Sequence, residues 1–141
     1  MGAVPPAAAI RILLVEAHRL LAGALQAALS SDSRVDVVGV AHDGAQAVAL
    51  TKGLAPDVVV LDTDLPLEDG VEVTRRICET DRDLRVLVLT GSEPGAQAEL
   101  SQAGAAGFIR KDRSAVELAD TIPEVASLVL AFSTTGTLVS H

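Results

Sequence analysis

The stretch PDVVVLDTDLPLEDG, residues 56–70, decides how the rest of the chain is interpreted. Residues 58–61 are all apolar, and they lead without polar alternation into the carboxylate of Asp62. Such a run is typical of a strand covered on both faces, as in a parallel α/β sheet. Pro66 and Gly70 predict a loop before the next helix. Because ligands of parallel sheets bind outside the carboxyl ends of the strands, Asp62 is predicted to lie at a functional edge.

A carboxylate at the mouth of a buried strand requires an explanation, because burying a charge without partners is costly. We interpret Asp62 as a nucleophile that accepts a phosphoryl group.

Strand-like and helix-like patterns alternate five times along the chain, with strands predicted at residues 10–15, 35–40, 58–62, 84–89 and 108–109. This alternation predicts an α/β fold with a doubly wound, five-stranded parallel sheet and helices on both faces. We predict the flavodoxin-like strand order 2-1-3-4-5. In that order Glu16, Asp62, Thr90 and Lys111 converge on one crevice, although they are far apart in sequence.

Four segments resemble, in order, the receiver domains of two-component response regulators. They are residues 12–18, with an acidic end to the first strand, the acceptor stretch 56–70, residues 86–90, which end in a hydroxyl residue, and residues 104–112, with an aromatic residue and a lysine. The Lys-Asp ending and residues 37–39 are most similar to the NarL/FixJ (LuxR-type) subgroup. The resemblance covers roughly residues 10–122.

The resemblance implies that a sensor histidine kinase or a small phosphodonor phosphorylates Asp62. It also implies an Mg²⁺ ion held by Asp62, the backbone carbonyl of Asp64 and an acidic pair after the first strand. Here that pair is Glu16-Ala17, so Ala17 stands in the position of a missing acid. We therefore expect Mg²⁺ binding to be weak or absent, and phosphorylation to be slow.

Three further residues match the family's phosphoryl-binding and switch positions. Thr90 is suited to hydrogen-bond a phosphoryl oxygen, and Lys111 is suited to pair with one. Phe108 matches the aromatic residue that rotates inward. Two of the three also have a structural interpretation: Lys111 forms a buried ion pair with Asp62, and Phe108 is an edge-strand core residue. We interpret His18 as a polar residue at a helix start rather than as a metal ligand.

The composition limits the class of protein. The 141 residues suit one domain, and a net charge of −8 weighs against nucleic-acid binding by this segment itself. DNA contact is expected through an output domain outside this sequence. The single cysteine, Cys78, excludes an internal disulfide and fits a cytoplasmic protein. Because no run approaches the ~20 apolar residues of a membrane span, no membrane association is expected.

We divide the chain into a flexible N-terminal arm (residues 1–9), a receiver domain (10–122) and a divergent C-terminal segment or truncated linker (123–141). Pro123 is expected to end or kink the last helix. The apolar residues 125–132, with the first and last helices, predict a homodimer or partner contact. The chain is either a stand-alone receiver or a piece of a longer regulator.

Two other functions remain as alternatives. The first is a pseudo-receiver that works without phosphate, through a partner or a small ligand, which the Glu16-Ala17 pair favours. The second is a haloacid-dehalogenase-type phosphatase, because Asp62 and Asp64 match the start of that motif. The motif lies in the middle of the chain and no suitable acidic pair follows, so we do not expect an enzyme.

Overall fold

The computed structural model describes residues 8–91 and 96–135, with side chains as far as residue 128. The strands are β1 (Ile10–Val15), β2 (Val35–Ala41), β3 (Val58–Asp62), β4 (Arg85–Thr90) and β5 (Ala105–Arg110). The helices are α1 (Arg19–Ser30), α2 (Gly44–Leu54), α3 (Gly70–Thr80), α4 (Gln97–Ala103) and α5 (Ala115–Thr135). Most of the predicted N-terminal arm and of the turn before α4 lies outside the described residues.

The five strands form one parallel sheet in the order β2-β1-β3-β4-β5, which confirms the predicted fold. Every residue of β3 is buried, as its unbroken apolar run predicted. The fifth strand is longer than predicted, because the small residues 105–107 also pair with β4. Backbone pairing needs no apolar side chain, so these residues carried no strand signal.

Two apolar clusters cover the two faces of the sheet. One packs α2, α3 and α4 against the strands, through Ala47, Val48, Val73, Ile77 and Leu100. The other packs α1 and α5 against the opposite face, through Leu29, Leu118, Ala119, Ile122 and Val125. The carboxyl ends of all five strands are thereby left at one uncovered edge.

Side chains at that edge begin the helices that follow the strands. Asp43 Oδ1 accepts a hydrogen bond from Gln46 N at 2.8 Å and caps α2. Asp69 Oδ1 accepts one from Val71 N at 2.9 Å and caps α3. Gly70 must be glycine, because a Cβ there would lie 2.6 Å from Cβ of Thr63. These contacts anchor both ends of the loop that follows Asp62.

Pro123 was expected to end or kink the last helix; an end is wrong, because α5 continues from Ala115 to Thr135 with the proline inside it, and a kink stays a prediction. Leu118, Ile122 and Val125 are 3%, 0% and 4% exposed, so one buried face continues across the proline. Burial of such side chains contributes about 1.5–3 kcal/mol each, which offsets the roughly 3 kcal/mol that an interior proline costs. Residue 125, predicted to join an interface, belongs to the domain's own core.

Replacing Pro123 by alanine is expected to raise the free energy of unfolding by about 1–2 kcal/mol. The variant restores the N–H that can donate to the carbonyl of Ala119, while the unfolded chain gains some freedom that opposes this. Urea unfolding of both proteins measures the difference. Glu124→Ala, at an exposed position in the same turn, is the control and should change stability by less than about 0.5 kcal/mol. A destabilised Pro123→Ala would show that the proline acts mainly on the unfolded chain.

Candidate functional site

Asp62 ends the central strand and is 1% exposed. Its Oδ1 accepts a hydrogen bond from the backbone N of Asp64 at 2.9 Å. Its Oδ2 lies 2.7 Å from Nζ of Lys111. The carboxylate is therefore held on one side by the loop that follows β3 and on the other by an ammonium group.

Lys111 follows β5 directly, and its backbone N donates to the carbonyl of Thr90 at 2.8 Å. Burial is the largest single influence on its ammonium group and lowers the pKa, but the nearby carboxylates, Asp62 first among them, together outweigh it, and the pKa is raised overall. Glu16 and Asp64 add to the rise. The side chain is 26% exposed, so it can move between Asp62 and solvent.

Glu16 is the second buried carboxylate at this edge, with 0% exposure. Its Oε2 accepts from the backbone N of His18 at 3.0 Å and lies 3.2 Å from His18 Nδ1. Its Oε1 is buried and has no hydrogen-bond partner within the described part of the chain. Burial raises the pKa of Glu16, and the neighbouring carboxyl of Asp62 raises it further.

The other predicted site residues lie in or directly after the strands of the sheet. Ala17 is half-buried and packs its methyl group against the core, and Asp64 is exposed. Thr90 is half-buried at the end of β4, and its Oγ1 donates to the carbonyl of Ile109 at 3.5 Å. Phe108 is half-buried, pairs with Val88 across the β4–β5 ladder and packs against the core. The structure thus places each predicted residue, and the functional roles assigned to them stay predictions.

Three residues near the site escaped the sequence argument. His42 Nδ1 contacts the carbonyl of Glu16 at 2.9 Å, and Glu68 Oε2 accepts from Gly44 N at 2.5 Å. Leu67 is fully exposed in the loop after β3 and has φ of 62°, an unusual value for a leucine. His42 directly follows β2, the neighbour of β1, so its position was the signal that could have found it.

Glu16 should make stability depend on pH. Its folded-state pKa lies above the ordinary 4.5, so the folded protein keeps a proton that the unfolded chain has already released. Stability is then lost as the pH rises from about 4.5 through the folded-state pKa. Glu16→Gln cannot titrate, and its amide can donate to Asp62. We expect the variant to lose less stability than wild type between about pH 5 and pH 8.

Urea unfolding of wild type and Glu16→Gln at both pH values tests this expectation. The other titrating groups are common to the two proteins, so the difference between the two pH slopes belongs to Glu16. Equal slopes would show that Glu16 is ionised in the folded protein throughout this range.

The buried carboxylate of Asp62, its contact with Lys111 and the order of the strands are together typical of one class of protein. The chain belongs to the response regulator receiver domain family, whose sequence model matches residues 12–123. It is 34% identical over 114 residues to the transcriptional regulatory protein LiaR of Bacillus subtilis (strain 168), covering 80% of this chain and 54% of LiaR. The chain thus spans about half the length of the curated relatives it matches.

Solved structures point to the same subgroup. A LuxR-family two-component response regulator from Aurantimonas sp. SI85-9A1 matches with a TM-score of 0.78 and 30% identity, covering 85% of this chain and 86% of that one. The signal receiver domain of the putative response regulator NarL from Mycobacterium tuberculosis matches with a TM-score of 0.75 and 32% identity, covering 84% and 97%. These findings confirm the resemblance to the NarL/LuxR type.

Receiver domains generally bind Mg²⁺ at an acidic pocket and interact with histidine kinases. Here the unpartnered Oε1 of Glu16 and the carboxylate of Asp62 are oxygen donors of the kind that Mg²⁺ prefers. Among the described residues, however, no three His, Cys, Asp or Glu side chains are grouped so as to hold a metal ion. The donor set therefore fits a site with fewer charges than a complete acidic pair would supply. No helix among the described residues is long and apolar enough to cross a membrane.

Proposed function

We propose that this chain is the signal-receiving domain of a bacterial two-component transcriptional regulator, and that Asp62 is its phosphoacceptor. The observation that carries the proposal is the placement of Asp62. It is a buried carboxylate at the end of the central strand, 2.7 Å from the ammonium of Lys111. The phosphodonor is a sensor histidine kinase or a small acyl phosphate.

In the proposed reaction, a carboxylate oxygen of Asp62 attacks the phosphorus atom of the donor. The P–N bond of phosphohistidine, or the P–O bond of an acyl phosphate, breaks as the acyl-phosphate bond to Asp62 forms. The donor's imidazole or carboxylate leaves with the bonding electron pair. Lys111 offsets the repulsion between the carboxylate and the incoming anion, and it then pairs with a phosphoryl oxygen. The hydroxyl of Thr90 donates a hydrogen bond to another phosphoryl oxygen, and the ring of Phe108 rotates inward when that hydroxyl moves.

We propose that Mg²⁺ binds weakly, through Glu16, Asp62 and the backbone carbonyl of Asp64. When bound, the ion supplies two positive charges to the phosphoryl oxygens. The hydrogen bonds from His18 orient the Glu16 carboxylate with Oε1 unpartnered, and this oxygen is the donor left for the ion. Without an acid at Ala17, the chain's own residues bring one carboxylate fewer to the site.

Incubation with acetyl phosphate and Mg²⁺, followed by the mass of the intact protein, tests this function. We expect a fraction of the protein to gain one phosphoryl group. Beryllofluoride with Mg²⁺ should bind to the unphosphorylated protein and shift the signals of residues around Asp62. No mass change together with no beryllofluoride binding would overturn the proposal.

That negative outcome would favour the second candidate, a phosphorylation-independent pseudo-receiver controlled by a partner or a small ligand. The Lys111–Asp62 ion pair and the methyl group of Ala17 are the observations that support it. A phosphatase is not proposed, because its general acid would be Asp64, whose side chain is exposed.

Association and output belong to the whole regulator. Leu20, Leu21, Val116 and Leu128 on α1 and α5 are exposed by 92%, 37%, 69% and 42%, and both helices lie on one face of the sheet. We propose a cytoplasmic homodimer that uses this face. DNA binding is assigned to an output domain that these 141 residues do not contain. Light scattering across a concentration series distinguishes the dimer from a monomer.

A further inference from the structure

His42 makes an unusual contact at the end of β1. The last backbone bond between β1 and β2 at this end runs from Glu16 N to the carbonyl of Ala41, at 2.9 Å. The next contact is made by a side chain, because His42 Nδ1 lies 2.9 Å from the carbonyl oxygen of Glu16. A carbonyl oxygen only accepts, so Nδ1 must carry the proton that it donates. The imidazole thus extends the ladder by one bond while the backbone turns into α2.

The backbone of His42 is held in place by hydrogen bonds to the start of α2. Its backbone N donates to Oε1 of Gln46 at 2.8 Å, and Gln46 N donates to Oδ1 of Asp43 at the same distance. Gly44 N donates to Glu68 Oε2. These bonds tie the backbone on both sides of His42, so little freedom is lost when its half-buried ring bonds to Glu16.

The bonded carbonyl belongs to the peptide that joins Glu16 to Ala17. The described part of the chain contains no cis peptide bond, so fixing this carbonyl also fixes the N–H of Ala17 on the opposite side. The chain then reaches His18, whose N–H and Nδ1 contact Oε2 of the Glu16 carboxylate. His42 holds the main chain of this turn, and His18 holds its carboxylate.

We propose that His42 is a positioning residue for the acidic pocket. By holding the Glu16 carbonyl, it sets the course of the turn through Ala17 and so the place where the Glu16 carboxylate meets Asp62. This inference rests on the proposed function in so far as the pocket serves phosphorylation. The hydrogen bond between His42 and the Glu16 carbonyl does not involve the reacting atoms, so His42 acts on the pocket only through the position of Glu16.

Two variants whose side chains have nearly the same shape as each other separate the hydrogen bond of His42 from the packing of its ring. His42→Asn places an amide N–H where Nδ1 stands, and His42→Leu has a similar shape without a donor. The first readout is amide hydrogen exchange of Ala17 and His18 without metal or phosphodonor. The second is the affinity for beryllofluoride with Mg²⁺.

We expect His42→Leu to lower the exchange protection of His18 about tenfold and to weaken beryllofluoride binding about tenfold, since it leaves a buried acceptor without its donor. His42→Asn should remain within about threefold of wild type in both measurements. If His42→Leu does not fold, His42→Gln replaces it, because its amide reaches the Nε2 position rather than Nδ1.

Equal exchange protection in the Asn and Leu variants would overturn the positioning role. Failure of beryllofluoride to bind any of these proteins, wild type included, would instead count against the proposed phosphorylation. In that case the exchange comparison still decides whether His42 positions Glu16.

Discussion

Asp62→Asn is expected to abolish phosphorylation, with transfer from acetyl phosphate falling to the background of the assay. The amide lacks the anionic oxygen that attacks phosphorus, and no neighbouring carboxylate combines the same burial with the same lysine contact among the described residues. The mass of the intact protein, or radiolabel from a phosphodonor, measures the effect.

The matched control is Asp64→Asn, which makes the same chemical change two residues further along the loop. Its side chain is exposed, whereas its backbone N–H, which donates to Asp62 Oδ1, is retained. This variant should still be labelled. Label that persists in Asp62→Asn would place the phosphoacceptor elsewhere, and equal loss in both variants would point to general damage to the pocket.

The Asp62→Asn variant should remain folded. Asn can still accept the bond from Asp64 N, and Lys111 is 26% exposed, so its ammonium group can turn toward solvent. The pKa of Lys111 should fall, because the carboxylate of Asp62 is the main influence that raises it. Circular dichroism and thermal unfolding of the variant check that the missing label is not caused by a missing fold.

Ala17→Asp is expected to tighten Mg²⁺ binding about ten- to a hundredfold. The new carboxylate stands next to Glu16 at the mouth of the pocket, and one further charge near a divalent ion is worth on the order of 1–3 kcal/mol after solvent screening. Titration with Mg²⁺, followed by the amide signals of the loop after β3, gives both dissociation constants. Ala17→Asn is the control for side-chain size, and it should change the affinity little.

The same substitution should change stability in opposite directions with and without the ion. Without Mg²⁺, three carboxylates in one pocket repel, so Ala17→Asp should unfold at a lower temperature than wild type. With saturating Mg²⁺ the unfolding temperature of the variant should rise more than that of wild type, because a ligand stabilises the folded state that binds it. Equal Mg²⁺ affinity in the two proteins would show that Glu16 or Asp64 already fills the missing role.

Much of the fold could be predicted from local pattern. The apolar run into Asp62 and the alternation of strands with helices predicted a doubly wound parallel sheet, because side-chain periodicity reports which faces are covered. The strand order 2-1-3-4-5 is the one that the resemblance to receiver domains implies. The cap of α2 is a local feature too, since Asp43 bonds to a residue only three positions further on. The weak points were residues 105–107, whose small side chains carry no strand pattern, and Pro123.

The residues of the candidate site and the ion pair between Lys111 and Asp62 could be predicted, but the other contacts of the site could not. Glu16, Asp62 and Lys111 were expected to converge, and they lie together at the edge of the sheet. The bonds of His18 to the Glu16 carboxylate, the contact of His42 with the Glu16 carbonyl and the unpartnered Oε1 were not expected. These contacts depend on how the loops pack against one another, and the spacing of residues in the sequence does not reveal that packing.

The sequence by itself determined where the buried strands lie and that Asp62 ends the central one, because both follow from which residues avoid water over short stretches of chain. Tertiary structure alone decided two other matters. The last helix continues through Pro123 because Ile122 and Val125 are buried on both sides of it, so long-range packing outweighs a local cost. The buried Glu16 is held by two histidines because β2 lies beside β1, which brings His42 to a residue 26 positions away in the chain.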